Sequence, residues 1–136
     1  MSDFDQQVID EFRANGGTVG GLFEGAEVIL LHHVGAKSGA ERVTPLVHFP
    51  EDDQHTILIA SAGGAPKHPG WFHNLKAHPK VDVEVGTETY PVVAEEITGT
   101  ERDELWNRIV AKAPHFDDYQ RKTERLIPLL RLTRVG

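Results

Sequence analysis

The chain has 136 residues, with 14 Lys or Arg, 21 Asp or Glu and a formal net charge of −7 when its histidines are neutral. This length predicts a single domain spanning residues 1–136, and the acidic balance argues against general binding to nucleic acid or anionic membranes. The absence of cysteine excludes disulfides, thiolate metal sites and thiol nucleophiles. No signal-peptide pattern and no long apolar run occur, so we expect a cytoplasmic protein without stable membrane insertion.

Residues 5–15 open the chain with a helical pattern. Val8, Ile9 and Phe12 fall on one stripe, and Gly16 and Gly17 supply the stop. Because the stripe is narrow and the polar face is acidic, we favour a helix that covers the core over a membrane anchor. Residues 18–24 then read as a glycine-rich connector.

Six later segments rich in Val, Ile and Leu predict strands, and several of the loops between them have lengths that suit antiparallel hairpins. Six strands in so short a chain favour a closed or nearly closed barrel, because closure removes exposed sheet edges. Thr100 and Asp103 resemble a capping box at the start of one helix. The predicted fold class is mainly β (α+β), with strands at 27–34, 42–49, 55–61, 81–85, 89–97 and 128–132 and further helices at 69–77, 101–112 and 115–126.

The first loop that points to chemistry covers residues 35–46. Glycines flank Lys37 and Ser38, so successive backbone N–H groups can converge on an anion, while Arg42 and Thr44 add side-chain donors. The spacing is not that of a Walker loop, and a strand follows instead of a helix. The loop is therefore a phosphate cradle or, alternatively, an ordinary hairpin turn with a solvated lysine.

The second loop covers residues 60–75. A strand end is followed by Gly63 and Gly64, and a prolyl turn then leads to Trp71 and Asn74 on a short helix. Glycine N–H groups can approach the carbonyls of a flat heterocycle, and an indole can form its apolar wall. The alternative makes Trp71 a core residue and Asn74 a cap or turn residue.

The eight histidines do not predict a metal site. His68, His73 and His78 recur every five residues, which places them on different faces of a helix. His32 and His33 are adjacent on a strand, so at most one of them faces the barrel interior. We expect no metal, and no Gly-x-Ser-x-Gly elbow supports a serine hydrolase.

Together the two loops resemble the deazaflavin-dependent nitroreductase family, whose members use coenzyme F420. The resemblance spans nearly the whole chain and implies a six-stranded split β-barrel with short flanking helices. Its motifs are Val-Ile-Asp-Glu-Phe-Arg-Ala-Asn-Gly-Gly from Val8, Gly-x-Lys-Ser-Gly-x-x-Arg-x-Thr-Pro-Leu from Gly35, Ser61 with Gly63-Gly64-Ala65, His-Pro-Gly-Trp-Phe-His-Asn-Leu from His68, Asp-Tyr-Gln from Asp118, and Ile127-Pro128.

The resemblance implies hydride transfer from reduced F420 to an electron-poor acceptor: a quinone, an activated enone or a nitroaromatic compound. The cofactor carries such chemistry, so no catalytic triad is needed. Ser61 and Tyr119 are the catalytic candidates, as hydrogen-bond donors to the acceptor. The implied coenzyme-binding residues are Ala36, Lys37, Ser38 and Arg42 near the phosphate and acidic tail, Val43, Thr44, Pro45, Leu46 and Val47 near the ring and linker, Ile59, Ala60, Ser61 and Ala62 along the ring, and Gly70, Trp71, Phe72, His73, Asn74 and Phe116 around the pocket.

Two alternatives stay open beside this reading. An FMN-dependent reductase can use the same barrel, since a fold does not settle its ligand. A carrier that binds the deazaflavin without turnover is the other. The expected partner is a small-molecule acceptor, bound by a monomer or a homodimer. Ala36, Ala40 and Ala62 stand where relatives often carry long polar or cationic side chains, which predicts weaker binding of the coenzyme tail.

Overall fold

The computed structural model describes residues 3–21 and 25–135. Six antiparallel strands form a closed barrel, in the order β1-β2-β3-β6-β5-β4, which confirms the predicted six-stranded barrel. The strands are β1 (Val28–Val34), β2 (Glu41–Pro50), β3 (His55–Ile59), β4 (Lys80–Val85), β5 (Glu88–Ile97) and β6 (Leu129–Arg134). The helices are α1 (Asp3–Ala14), α2 (Gly70–Ala77), α3 (Gly99–Lys112) and α4 (His115–Arg121).

The predicted hairpins connect β1 to β2, β2 to β3 and β4 to β5. β6 inserts between β3 and β5. The ring closes between β1 and β4 through only two residue pairs, Leu30 with Glu84 and Leu31 with Val83. The strands therefore form a barrel in which the β1–β4 seam is the shortest.

α1 lies across the outside of this seam. Its side chains Val8, Ile9 and Phe12 pack with Val28 and Leu30 of β1, so the prediction of a helix that covers the core is confirmed. At its last turn, the Arg13 guanidinium makes a bidentate ion pair with the Glu84 carboxylate of β4, at 2.8 and 3.1 Å. Apolar contacts thus hold α1 to β1 and to Val43 of β2, and an ion pair holds it to β4.

The barrel interior is filled by alternate side chains of the strands. α2 closes one end of it with Trp71, Phe72 and Leu75, all of which belong to the interior cluster. α3 and α4 cover a separate outer face. Their cluster includes Leu105, Trp106, Ile109 and Phe116, packed on strand residues Ile57, Ile59 and Leu129.

Two helix ends differ from the sequence predictions. α4 ends at Arg121 instead of continuing to residue 126, because the Gln120 side chain donates to the Arg125 carbonyl and accepts the Ile127 N–H. These bonds turn the chain toward β6. α3 begins at Gly99, and its cap residue Thr98 makes no side-chain capping bond, so the predicted capping box is wrong.

In the part of the chain that the structure describes, none of the helices has both the length and the apolar character needed to cross a bilayer.

Candidate active site

An open groove of about 780 Å³ lies where the β1–β2 loop, the end of β1 and the start of α2 meet. We call it the α2 groove. It brings together nine of the predicted coenzyme-binding residues and two residues outside that set, His33 and Gly35. The nine are Ala36, Lys37, Ser38, Arg42, Thr44, Gly70, Trp71, His73 and Asn74.

The β1–β2 loop is a tight turn closed by its own backbone. The Gly39 N–H donates to the Gly35 carbonyl and the Gly35 N–H donates to the Ala40 carbonyl, both at 2.9 Å. Gly39 has a φ of 69°, a left-handed conformation that favours glycine. Within residues 3–21 and 25–135, the N–H groups of Lys37 and Ser38 donate no hydrogen bond. These two amides remain available to an anion.

Two cations flank this turn. Lys37 and Arg42 are exposed, and neither pairs with a carboxylate among the described residues. By contrast, Arg13 and Arg131 both have carboxylate partners. A chain with a net charge of −7 therefore keeps two uncompensated positive charges at one end of the α2 groove.

A hydrogen-bonded relay crosses the groove from α2 to β2. The Asn74 amide accepts the Ala36 N–H through Oδ1 and donates to Nδ1 of His33 through Nδ2, both at 2.9 Å. Nε2 of His33 lies 2.8 Å from Oγ1 of Thr44. Since Nδ1 accepts, a neutral imidazole carries its proton on Nε2 and donates it to Thr44. The hydroxyl proton of Thr44 is then free to donate to a ligand.

His33 is buried among these groups. Desolvation lowers its pKa, and the nearby charges of Arg42 and His32 lower it further, which favours the neutral form that the relay requires. The sequence predicted only that at most one of His32 and His33 faces the interior. That prediction is confirmed, but the sequence analysis missed the role of His33, because its partners lie 11 and 41 residues away.

The second loop leaves β3 as a turn with unusual backbone angles. Ala62, Gly63 and Gly64 have φ values of 48°, 64° and 86°, so three successive residues are left-handed. Gly64 packs directly on α4, where a Cβ would lie 2.7 Å from the Tyr119 carbonyl oxygen. The close approach requires glycine at position 64 and joins the loop that bears Ser61 to the helix that bears Tyr119.

Aromatic rings line the face of α4 beside this turn. The Phe116 and Tyr119 rings are in edge contact at 5.7 Å between centroids, and His115 contacts both of them. Phe49 of β2 packs edge-on against Phe116 at 5.9 Å. This aromatic wall, made by His115, Phe116 and Tyr119, is a surface of the kind that planar ligands contact.

Other sequence-predicted residues lie away from the groove. Val43 packs against the cluster beneath α1, and Pro45 and Val47 are on the same face of β2, because side chains alternate along a strand. Leu46, Ala60 and Phe72 belong to the barrel interior, Ile59 packs in the cluster under α3 and α4, and Ala62 is exposed on its turn.

At the opposite end of the barrel a second His–Thr pair fills the interior. Nδ1 of His48 lies 2.7 Å from Oγ1 of Thr56, and both residues are buried. Burial lowers the pKa of His48 to about 4. This pair borders a cavity of about 390 Å³ between the β2–β3 hairpin and the β4–β5 turn.

Among residues 3–21 and 25–135, no group of three His, Asp or Glu side chains is arranged to hold a metal ion. The α2 groove offers instead two free backbone amides beside two cations, a fixed hydroxyl and the Trp71 indole. This combination suits a large organic anion with a planar part.

Comparison with known proteins agrees with this chemistry. A family model described as F420H(2)-dependent quinone reductase matches residues 5–134. An F420H(2)-dependent quinone reductase of Mycobacterium tuberculosis is 37% identical over 127 residues, covering 90% of this chain and 85% of that protein.

Two solved structures share the fold at appreciable identity. One is an F420-H2 dependent reductase (FDR-A), 40% identical, with a TM-score of 0.68 over 77% of this chain and 92% of that one. The other, described as a domain-swapped dimer, is 34% identical, with a TM-score of 0.71 over 93% and 94% of the two chains.

The barrel and its groove thus define an oxidoreductase of the split-barrel class that uses coenzyme F420 as its hydride donor. The chain belongs to the F420H(2)-dependent quinone reductase family.

Proposed function

We propose that this protein reduces a quinone with F420H2 bound along the α2 groove, with Lys37 and Arg42 at the anionic end of the coenzyme. The observation that carries the proposal is the unpaired state of these two cations beside two free backbone amides. Family membership supports the choice of acceptor.

The residues of the groove fit the coenzyme's chemistry. A phosphate and an acidic tail need donors and positive charge, which the amides of Lys37 and Ser38 and the side chains of Lys37 and Arg42 can supply. Beyond them, the Thr44 hydroxyl and the Trp71 indole offer a hydrogen-bond donor and an apolar wall. Ala36 and Ala62 add no charge, so we propose that the tail is held by fewer contacts than the phosphate.

When bound, the reduced deazaflavin supplies the hydride equivalent for the reaction. The chain's own part is to bind, orient and keep water from the reacting faces. His33 holds Thr44 as a donor, and Asn74 holds both His33 and the turn at Ala36. These positions are set before any ligand arrives, which lowers the ordering cost of binding.

For the acceptor we propose the aromatic wall on α4. A quinone is planar and electron-poor, so it can stack on Phe116 and Tyr119 with part of its ring shielded from water. Negative charge develops on the quinone oxygen during reduction, and the Tyr119 hydroxyl or the Ser61 hydroxyl can donate a hydrogen bond to it. Activated enones and nitroaromatic compounds are further acceptors of the same electronic type.

Titration and turnover test the proposal separately. Purified protein is titrated with F420 and with FMN, and then supplied with F420H2 and either menadione or a cyclohexenone. We expect tighter binding of F420 than of FMN and reappearance of oxidised F420 on addition of menadione. Tighter FMN binding would contradict the coenzyme assignment. Binding of F420 without turnover would contradict the enzyme assignment and support the alternative of a deazaflavin carrier.

We further propose that the enzyme acts in the cytoplasm, on a small-molecule acceptor and as a monomer or homodimer. Sedimentation at the concentrations used for kinetics distinguishes the two assembly states.

A further inference from the structure

Arg125 lies in the segment between α4 and β6, and its guanidinium reaches back to the second loop. It donates to the carbonyl oxygens of Ser61 at 2.7 Å, Ala65 at 2.9 Å and Ala60 at 3.1 Å. Nη1 also lies 2.9 Å from Nδ1 of His68. Within the ranges the structure describes, no carboxylate pairs with Arg125. The guanidinium therefore donates its hydrogen bonds to the backbone of residues 60–65 and to the His68 imidazole.

The segment that Arg125 holds is the left-handed turn. Ala62 has a φ of 48° although it is not glycine. Non-glycine residues are strained in such conformations, which persist only where surrounding contacts determine them. The carbonyl of Ser61, just before the turn, accepts from both Arg125 and the Gly64 N–H, and the carbonyl of Ala65, just after it, accepts from Arg125. The guanidinium thus fixes both ends of the turn.

Arg125 is itself held in place. The Gln120 side chain donates to the Arg125 carbonyl at 2.7 Å and accepts the Ile127 N–H at 3.0 Å. The Arg125 side chain is half-buried, and this desolvation lowers the pKa of its guanidinium. Hydrogen bonds from a charged donor are the stronger ones, and a planar fork suits several acceptors at once.

The bond to His68 fixes a proton as well. A guanidinium only donates, so Nδ1 of His68 accepts and the neutral imidazole carries its proton on Nε2. Desolvation, followed by the charge of Arg125, lowers the pKa of His68 and favours this neutral form. The His68 ring contacts Phe72 at 4.7 Å and His73 at 5.9 Å between centroids. Arg125 therefore links the turn at Ser61 to the α2 groove, which His73 lines.

We infer that Arg125 is a positioning residue, which shapes the turn at Ser61–Ala65 into the surface that receives the deazaflavin ring. The inference rests on the proposed function for the ligand. It assigns to Arg125 the ring-binding half of the site, whereas Lys37 and Arg42 serve the phosphate half. Loss of Arg125 then weakens binding of the ring itself, independently of the tail.

The test compares R125A and R125K with R121A, a control on α4 whose guanidinium is exposed and pairs only with Asp117 in the described structure. Dissociation constants are measured for F420 and for the chromophore that lacks the phosphate and tail. We expect R125A to raise both constants by the same factor, about tenfold or more, since a charged donor to several acceptors is lost. R125K, with a single ammonium in place of the fork, should recover part of the affinity, and millimolar guanidinium should restore affinity to R125A.

Hydrogen exchange without any ligand provides a second readout. The Gly64 and Ala65 amides donate to the carbonyls of Ser61 and Ala62. We expect their exchange to quicken about tenfold or more in R125A, less in R125K and not in R121A, because the turn loses its fixed ends. If the wild-type chain bound no F420, the proposed function would be wrong, and the exchange experiment would still decide whether Arg125 holds the turn. A folded R125A with unchanged exchange, or with chromophore affinity within about twofold of wild type, would overturn the inference.

Discussion

Asn74 and His33 are joined by a hydrogen bond of 2.9 Å between Nδ2 of the amide and Nδ1 of the imidazole. The same amide accepts the Ala36 N–H, so a residue of α2 sets both the tautomer of a buried histidine and the position of the β1–β2 turn. The β1–β2 turn and the Thr44 hydroxyl are therefore coupled through one side chain.

The coupling predicts that N74A weakens F420 binding. Loss of the Asn74 side-chain amide frees the Ala36 N–H and leaves Nδ1 of His33 without its hydrogen-bond donor. Together these losses cost about 1–3 kcal/mol of binding free energy, which raises the dissociation constant roughly 5- to 150-fold. Fluorescence titration with F420 measures the change. The matched control is N107A on the exposed face of α3, which should bind F420 as the wild type does. Equal affinities for the two variants would contradict the coupling.

The unpaired cations predict a selective loss. K37A and R42A should each weaken binding of F420 about fivefold or more, since a charge-assisted contact near the surface contributes about 1 kcal/mol or more. Binding of the chromophore without phosphate and tail should change little. The comparison also depends on salt, because exposed ion pairs are screened.

K112A removes an exposed lysine on α3 and serves as the control for charge alone. If K37A and R42A weakened both ligands equally, the phosphate assignment would be wrong.

The contact between Gly64 and Tyr119 predicts different effects for neighbouring glycines. G63A adds a methyl group where nothing lies within 4 Å, so it should cost only the backbone strain, about 1–2 kcal/mol. G64A adds a Cβ at 2.7 Å from the Tyr119 carbonyl oxygen and has to push the turn from α4, which should cost about 2–4 kcal/mol. Urea denaturation compares the two, and equal midpoints would show that the turn is not held against α4.

Stability should fall in mild acid because of His48. Burial lowers its pKa in the folded protein to about 4, below the value near 6.5 expected in the unfolded chain. The unfolded state then binds the extra proton first, so the stabilisation is complete above about pH 6.5 and is lost as the pH falls toward 4. At about 1.4 kcal/mol for each pKa unit, the loss reaches about 3 kcal/mol.

Thermal unfolding of H48Q between pH 7 and pH 4 measures this effect. Glutamine can still bond to Thr56 but does not titrate, so the acid-induced fall in melting temperature should shrink. H78Q changes an exposed histidine after α2 and should keep the wild-type profile. A fall of the same size in H48Q would assign the acid sensitivity to other groups.

The sequence predicted the barrel and the residues of the β1–β2 turn because both depend on short-range patterns. Alternating apolar residues defined the strands, and the glycines around Lys37 and Ser38 defined the turn. Relationships between distant residues were not predictable in this way. Asn74 meets His33 across 41 residues and Arg125 meets Ala60 across 65, and no local spacing encodes either bond.

The end of α4 illustrates the same limit. Residues 122–126 carry no strong helix breaker, so a sequence pattern favours continuing the helix as far as residue 126. The chain turns instead because Gln120 bonds to Arg125 and Ile127 and because Arg125 reaches the second loop. Tertiary bonds of this kind outweigh local propensity.

The short seam between β1 and β4 gives α1 a mechanical role. Separation of β1 from β4 would expose two strand edges with unpaired backbone N–H and C=O groups. Such edges are the surfaces through which β-proteins exchange strands or aggregate. α1 packs on β1 and β2 through its apolar stripe and binds β4 through the ion pair of Arg13 and Glu84, so it bridges the seam between β1 and β4. Opening of the barrel at this seam therefore requires α1 to lose its contacts with at least one of the strands.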